Sequence, residues 1–283
     1  MPSTISVART IPALRRVIAR FRSAEETVAL VPTMGALHEG HLALVRRARR
    51  QADRIAVSIF VNPAQFAPHE DLASYPRSIR QDIAALARYR VDLVWAPPVN
   101  VMYPEGFSTR VVPQGAAGVG LEDSFRPHFF SGVATVVTKL LTQCMPDAAV
   151  FGEKDYQQLQ VVTQLARDLN FPVKIISAPI VREKDGLALS SRNVYLSPKE
   201  REIAPMLHRV LKNCAERIRN GQPVPDVLVQ GREALKRAGF ALDYLEARHA
   251  QTLQPVALPR KGPLRLLVAA KIGKTRLIDN LAV

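Results

Sequence analysis

Cysteine is scarce in this chain, which contains only Cys144 and Cys214 among 283 residues. The two have neither the spacing of a zinc or redox motif nor the number that a disulfide framework needs. We therefore predict two unreactive core thiols inside helices, in a reducing cytoplasm. Long apolar runs are also missing, and no basic-then-apolar leader opens the chain. We accordingly expect no membrane-spanning helix and no signal peptide.

Aromatic residues are few as well, at 6%, although the formal net charge is +14. Nucleic-acid-binding proteins usually gather basic residues on one element or interleave them with aromatic side chains. Here the basic residues are dispersed, and the cluster between residues 46 and 50 ends a predicted helix, where the helix dipole favours cations. We therefore predict no nucleic-acid partner and a general preference for acidic ligands such as ATP.

The common phosphate-binding motifs GxxxxGK[ST] and GxGxxG are absent from the first strand-to-helix turn, residues 31–41, which reads V-P-T-M-G-A-L-H-E-G-H. The zinc-protease motif HExxH is absent too, because His38 and His41 are three residues apart rather than four. The turn follows a predicted buried strand over residues 27–31 and precedes a helix predicted to begin near Glu39 or Gly40.

Anions bind at such helix starts because the first backbone N–H groups are unpaired and carry partial positive charge. The spacing of His38 and His41 lets both imidazoles face one ligand. Gly35 and Gly40 leave room for a nucleotide to approach the backbone. A surface turn with two polar residues is the alternative, and two histidines around a glycine make it the weaker interpretation.

Polar residues also follow two further predicted strands. Asn62 and Gln65 come after a strand over residues 55–61, and Lys154 and Gln158 follow a strand over residues 148–151. Because ligands gather beyond the carboxyl ends of parallel strands, we expect these side chains at the same rim as the histidines. Turn formation alone would explain Asn62 well and Gln65 poorly, and a lysine at a turn is usually solvated.

The C-terminal third supplies a further candidate, Ser190-Ser191-Arg192. Its hydroxyl donors and planar cation suit a triphosphate, although composition alone favours a polar loop between domains. We predict an α/β fold in which residues 1–180 form a Rossmann-like domain with a parallel sheet and residues 181–283 form a smaller α+β lid domain. The helices and strands predicted beyond the first turn are helices over 77–90, 130–143, 159–169, 198–219 and 225–238, and strands over 91–96, 109–112, 173–176, 242–246 and 264–269.

Four blocks, P-T-M-G-A-L-H-E-G-H, S-I-F-V-N-P-A-Q-F, F-G-E-K-D-Y-Q-Q-L and K-D-G-L-A-L-S-S-R-N, occur in this order. Together they resemble the pantoate–β-alanine ligase family, within the nucleotidyltransferase superfamily that carries H-x-G-H. The resemblance implies a homodimeric ligase that uses ATP and Mg²⁺ to convert pantoate to a pantoyl adenylate with release of pyrophosphate. The amine of β-alanine then displaces AMP to give pantothenate. A tRNA synthetase fragment or a cytidylyltransferase would share H-x-G-H but not the other blocks.

The resemblance also implies roles for individual residues. His41 stands in the family's proton-donor place, with His38, Lys154 and Arg192 as further catalytic groups. Gln65, Gln158 and Asn62 would hold pantoate, and Asp82, a solvated position by pattern alone, would help hold Mg²⁺. The ATP site would comprise Met34, Gly35, His38, Gly40, His41, Gly152, Glu153, Lys154, Asp155, Val181, Leu189, Ser190, Ser191 and Arg192.

The chain departs from the family in one loop. Asp123 stands where glycine is common, and Arg126-Pro127-His128-Phe129-Phe130 replaces R-P-G-H-F or similar. We expect the loop over the substrates to differ here, and we assign it no catalytic role.

Overall fold

Two β-sheets organise the residues that the computed structural model describes, namely 5–67, 72–76, 78–256 and 262–283. The six strands of the larger sheet are β1 (Ser6–Ala8), β2 (Val28–Thr33), β3 (Arg54–Ile59), β4 (Leu93–Trp95), β5 (Ala148–Gly152) and β6 (Lys174–Ala178). The three strands of the smaller sheet are β7 (Ala241–His249), β8 (Leu264–Ile272) and β9 (Thr275–Ala282).

Helices precede, connect and flank these strands. They are α1 (Ile11–Ser23), α2 (Glu39–Ala48), α3 (Ile79–Ala87), α4 (Val99–Met102), α5 (Glu122–Phe125), α6 (Phe129–Cys144), α7 (Tyr156–Asp168), α8 (Pro198–Ile203), α9 (Met206–Arg219) and α10 (Val224–Arg237). Short 3₁₀ helices cover Pro63–Gln65, Gly115–Ala117, Glu153–Asp155 and Ser191–Tyr195.

The larger sheet is wholly parallel, in the order β1-β4-β3-β2-β5-β6. The connections therefore run outward in opposite directions from the β2–β5 pair, which is the point where ligands of open α/β sheets bind. The smaller sheet is antiparallel, in the order β7-β8-β9. This architecture confirms the predicted fold class.

Alternating side chains on the central strands bury two separate faces, because successive strand residues point to opposite sides. Val28 and Leu30 of β2 pack with α1, α6 and α7 on one face. Ala29 and Val31 pack with α2 and α3 on the other. A third core lies between α9, α10 and the antiparallel sheet, in what we call the C-terminal domain, residues 181–283. Among the described residues, no helix is long and apolar enough to span a bilayer.

Several predicted elements differ from those observed. The strand expected over residues 109–112 is absent, because the Val111 N–H donates to the Thr135 side chain of α6 (3.0 Å) rather than to another strand. The helix expected over 77–90 covers Ile79–Ala87, and its predicted first residue lies outside the described residues. The helix expected over 198–219 is two helices, α8 and α9, separated at Ala204 and Pro205. Proline lacks the N–H that a continuous helix requires there.

Both cysteines are buried free thiols, as predicted. Cys144 ends α6 and Cys214 lies within α9. Burial raises the pKa of the Cys144 thiol to about 12. Since the thiolate is the reactive species, this cysteine is chemically inert at neutral pH.

Helix α6 approaches the Pro63–Gln65 turn at a glycine. A Cβ on Gly132 would overlap the carbonyl oxygen of Ala64, so any larger residue would push the helix and the turn apart. The same glycine accepts a hydrogen bond at its own carbonyl from the Asn62 side chain (3.2 Å). This close contact therefore sets where Gln65 sits.

We expect Gly132→Ala to lower the free energy of unfolding by about 1–3 kcal/mol, the usual cost of overpacking. Urea unfolding measures this change. Gly118→Ala is the matched control, because a Cβ there meets no atom within 4 Å and its φ of −137° is open to any residue. Equal stability of the two variants would contradict the assigned contact.

Candidate active site

A cleft of about 790 Å³ lies over the carboxyl ends of β2, β3 and β5, with the C-terminal domain as its opposite wall. Its size falls within the range of roughly 300–1,000 Å³ that is usual for small-molecule sites. Most of the predicted site residues line it. They are Met34, His38, Gly40, His41, Gln65, Gly152, Lys154, Asp155, Gln158, Val181, Leu189, Ser190, Ser191 and Arg192. Four predicted residues, Gly35, Asn62, Asp82 and Glu153, do not line it.

The two histidines are held by the start of α2. His38 is the N-cap residue, and its Nδ1 accepts the Gly40 N–H (3.1 Å). His41 reaches back, and its Nδ1 accepts the His38 N–H (3.3 Å). The ring centroids lie 4.2 Å apart. A Cβ on Gly40 would lie 2.8 Å from the His38 ring, so glycine is required at that position.

These contacts determine the tautomer of each ring. A backbone N–H can only donate, so both Nδ1 atoms are unprotonated and each neutral ring carries its proton on Nε2. Burial lowers the pKa of His38 to about 4, and Lys154 adds to that shift. Burial, with the nearby His38 and Lys154, lowers the pKa of His41 to about 3. Near neutral pH the turn therefore presents two uncharged Nε2–H donors.

Lys154 comes from the turn after β5, a 3₁₀ helix over Glu153–Asp155. It lines the same cleft as both imidazoles, although the chain separates them by more than a hundred residues, and its ammonium adds to the lowering of their pKa values. Its nearest carboxylate contact is 3.9 Å, to Asp155. The predicted convergence of the β2 and β5 turns is thus present in the structure.

Gln65 and Asn62, both predicted to contact a substrate, differ in position: Gln65 lines the cleft and Asn62 is buried behind it. Asn62 is only 1% exposed, and its side chain accepts from Ala64 N–H (3.3 Å) and Tyr103 O–H (2.8 Å). Its Nδ2 donates to Gly132 O and to Gln65 Oε1 (2.8 Å). Asn62 therefore does not face the cleft, contrary to the expectation of a substrate contact.

The same network orients the Gln65 amide. Ala64 N–H can only donate and Gly132 O can only accept, so the Asn62 amide has one possible orientation. Its Nδ2–H then requires an oxygen at Gln65, and the Gln65 Nε2 is left for the cleft. The ligand contact at Gln65 is consequently a hydrogen-bond donor.

Two adjacent glutamines on α7 differ in their hydrogen bonding. Gln157 is buried and bonds to Glu122 N–H, Ala116 O and the Asp123 carboxylate. Gln158 lines the cleft, and its side chain makes no hydrogen bond to the described residues. Asp123, the unusual residue in its loop, also accepts from Gly120 N–H (2.8 Å) and Leu121 N–H (3.0 Å). Burial raises the Asp123 pKa, but these hydrogen bonds outweigh it and hold that pKa below its ordinary value.

The Ser190–Arg192 segment crosses between the domains. Ser191 Oγ donates to the Ala36 carbonyl (3.2 Å), and Ser190 Oγ accepts the Arg192 N–H (3.2 Å). The Ser191 proton is therefore used within the protein, whereas the Ser190 proton is available to a ligand. The Arg192 guanidinium lies 6.0 Å from the Tyr75 ring at the cleft wall.

Asp82 is buried, 3% exposed, rather than solvated as its pattern indicated. Its carboxylate accepts from Ala36 N–H (3.1 Å) and Leu37 N–H (2.9 Å), and so fixes the loop before His38. No cluster of three metal-ligating side chains occurs among the described residues. The two backbone N–H groups engage both oxygens of the Asp82 carboxylate. Its contact with Mg²⁺ stays a prediction.

Sequence reasoning missed the polar groups that join the domains at the cleft. Arg276 of β9 donates two hydrogen bonds of 2.8 Å to Glu122 of α5 and one of 2.7 Å to Asp243. Tyr244 O–H donates to the same Glu122 (2.8 Å). Because 154 residues separate Glu122 from Arg276, no local motif could have indicated the pair.

The fold and the cleft are those of an α/β enzyme, with a parallel sheet on one side of the cleft and a smaller antiparallel sheet with helices on the other. A sequence model of the pantoate–β-alanine ligase family matches residues 6–282. The chain belongs to this family.

Similar proteins support the assignment over the full length. The chain is 62% identical over 277 residues to the pantothenate synthetase of Rhodopseudomonas palustris, and the alignment covers 98% of each. The crystal structure of pantothenate synthetase from Thermus thermophilus superposes with a TM-score of 0.91 at 48% identity, over 98% of this chain and 99% of that one. The pantoate–β-alanine ligase from Francisella tularensis, complexed with β,γ-ATP and β-alanine, superposes with a TM-score of 0.80 at 34% identity, over 98% and 97%.

We expect both imidazoles to stay neutral as the pH falls from 7 to 5, with their protons on Nε2. Nitrogen-15 NMR of the ring atoms measures this, with His38→Ala and His41→Ala to assign the signals. Because both folded pKa values lie below the ordinary 6.5, the unfolded chain takes up protons first. These residues should therefore reduce stability as the pH falls from about 6.5 toward 4. A ring at either position titrating near pH 6.5 would refute the assignment.

Proposed function

We propose that this chain condenses pantoate with β-alanine in two steps through a pantoyl adenylate. In the first step a pantoate carboxylate oxygen bonds to the α-phosphorus of ATP, and the bond to the bridging oxygen breaks to release pyrophosphate. In the second step the β-alanine nitrogen bonds to the acyl carbon, the bond to AMP breaks, and the nitrogen loses a proton. The observation that carries the proposal is the pair of Nε2–H donors beside Lys154 at the β2–β5 edge.

The first step gathers negative charge on phosphate oxygens, so it needs positioned donors rather than a protein nucleophile. His38 and His41 supply neutral N–H donors, and Lys154 supplies a full positive charge. The low pKa of His41 favours a hydrogen-bond donor over the proton donor implied by its place in the family. Ser190 and Arg192 approach from the opposite wall.

The nucleotide is assigned to the residues that line the cleft between these donors. Met34 and Gly40 border it on the β2 side, Gly152 and Asp155 on the β5 side, and Val181 and Leu189 near the domain junction. Gly35 and Glu153 belong to the same two turns but do not line the cleft. That a family member has been solved with β,γ-ATP and β-alanine supports ATP and β-alanine as ligands here.

Pantoate is assigned to Gln65 and Gln158, whose amides face the same cleft. The acyl adenylate is prone to hydrolysis, so enclosing it between two domains serves the reaction. Mg²⁺ would accompany the phosphates and offset their charge. The cytoplasmic location and the homodimer stay predictions. Light scattering on the purified protein would test the oligomeric state.

The proposed adenylate step requires that pantoate alone supports exchange of labelled pyrophosphate into ATP. We expect this exchange in the absence of β-alanine, because activation precedes attack by the amine. Release of pyrophosphate and AMP with β-alanine present gives the overall rate for comparison. Exchange that appears only after β-alanine is added would exclude a free-standing adenylate.

Gln65 variants test the direction of the pantoate hydrogen bond. Gln65→Ala should weaken pantoate binding by about 1.5–3 kcal/mol, the usual cost of losing a hydrogen bond to a charged group. Gln65→Glu keeps the shape but replaces the donor with an anionic acceptor, so it should be at least as damaging. Calorimetry with pantoate and with ATP separates the two ligands. If Gln65→Glu binds pantoate like the wild type, Gln65 is an acceptor and the orientation is wrong.

A further inference from the structure

The turn that carries Lys154 accepts two hydrogen bonds at its backbone carbonyls from the other domain. Asn280 lies on β9, is 2% exposed, and donates through Nδ2 to Glu153 O (2.8 Å) and to Lys154 O (2.9 Å). The turn has no side-chain cap of its own, at the 3₁₀ helix or at the start of α7. Asn280 is therefore a direct support of the backbone at Lys154.

Arg265 fixes the orientation of the Asn280 amide. Its Nε donates to Asn280 Oδ1 (2.8 Å), which leaves Nδ2 for the two carbonyls. The same guanidinium donates to the Glu153 carboxylate (3.0 Å) and lies 4.0 Å from the Tyr156 ring. The guanidinium can only donate and the two carbonyls can only accept, so the orientation of the Asn280 amide is unambiguous.

The antiparallel register brings these two side chains together. Asn280 pairs with Leu267, and Arg265 stands two residues before Leu267 on β8. Residues two apart on a strand share a face, so Arg265 and Asn280 are diagonal neighbours on one face of the sheet. The neighbouring Asp279 holds Arg182 with bonds of 2.7 and 2.8 Å and so ties the same strand to the segment leading to Ser190.

We propose that Asn280 is a positioning residue for Lys154, through which the C-terminal domain sets where the ammonium meets the phosphates. This inference rests on the proposed role of Lys154 in ATP binding. A displacement of about 1 Å can cost roughly a hundredfold in rate at a reacting centre, so the two hydrogen bonds matter beyond their own strength. Asn280 itself lines the cleft, but its amide is engaged by Arg265 and by the two carbonyls of the Lys154 turn.

A double-mutant cycle distinguishes this role from simple attachment of the domains. Lys154→Ala should weaken ATP binding by about tenfold or more, the lower end of the cost of a lost bond to a charged group. Asn280→Ala should weaken it by a similar factor alone, but by less than about twofold in the Lys154→Ala background, because coupled residues are not additive. Calorimetry with ATP measures all four proteins.

Arg248→Ala is the control for domain attachment. Arg248 also joins the domains, donating to Val119 O (3.0 Å), but it contacts neither the Lys154 turn nor the cleft. Its effect on ATP binding should be small and equal in both backgrounds. If Asn280→Ala fails to unfold cooperatively, Asn280→Ser, which keeps one donor, replaces it in the double-mutant cycle. The loss of ATP affinity is again compared with and without Lys154.

Equal losses from Asn280→Ala with and without Lys154 would overturn the inference, as would unchanged ATP affinity in the single variant. The ATP measurement does not depend on the adenylate step. Absence of pyrophosphate exchange in the wild type would therefore count against the proposed function while the cycle still decides the role of Asn280.

Discussion

The pairing of β2 with β5 is the constraint on which the rest of the site depends. These strands meet through Ala29↔Ala148 and Leu30↔Ala149, although the chain between them is longer than a hundred residues. Because both run in the same direction, their carboxyl ends deliver the His38–His41 turn and the Lys154 turn to one edge. The connections diverge from this pair, which leaves an open crevice above it.

Within that crevice, burial keeps the two histidine side chains uncharged. The two imidazoles are buried, their ring centroids lie 4.2 Å apart, and they share the cleft with the Lys154 ammonium, so their protonated forms are strongly disfavoured. Their Nδ1 atoms hold the start of α2, which keeps both Nε2–H groups available. The same two hydrogen bonds therefore cap the helix and hold both rings in the tautomer that donates through Nε2. Asp82 stabilises the loop just before them.

The C-terminal domain does more than form one wall of the cleft. It holds the Lys154 turn through Asn280, the α5 segment through Arg276, and the first turn through the bond from Ser191 to Ala36. Each bond ends on a segment that borders the cleft. Changes in the relative position of the domains would therefore alter the site itself, in addition to its exposure to water.

The sequence by itself determined the fold class and the family, and most of the site residues that it indicated line the cleft. Strand-to-helix turns carry local signals, because apolar runs, glycines and polar residues follow one another within a few positions. Only the tertiary structure decided that Asn62 orients Gln65, that Asp82 is buried on backbone amides, and that Asn280 supports Lys154. Partners such as Glu122 and Arg276 are 154 residues apart, and their contact depends on how two domains pack. One sequence contains no short-range pattern that reports such packing.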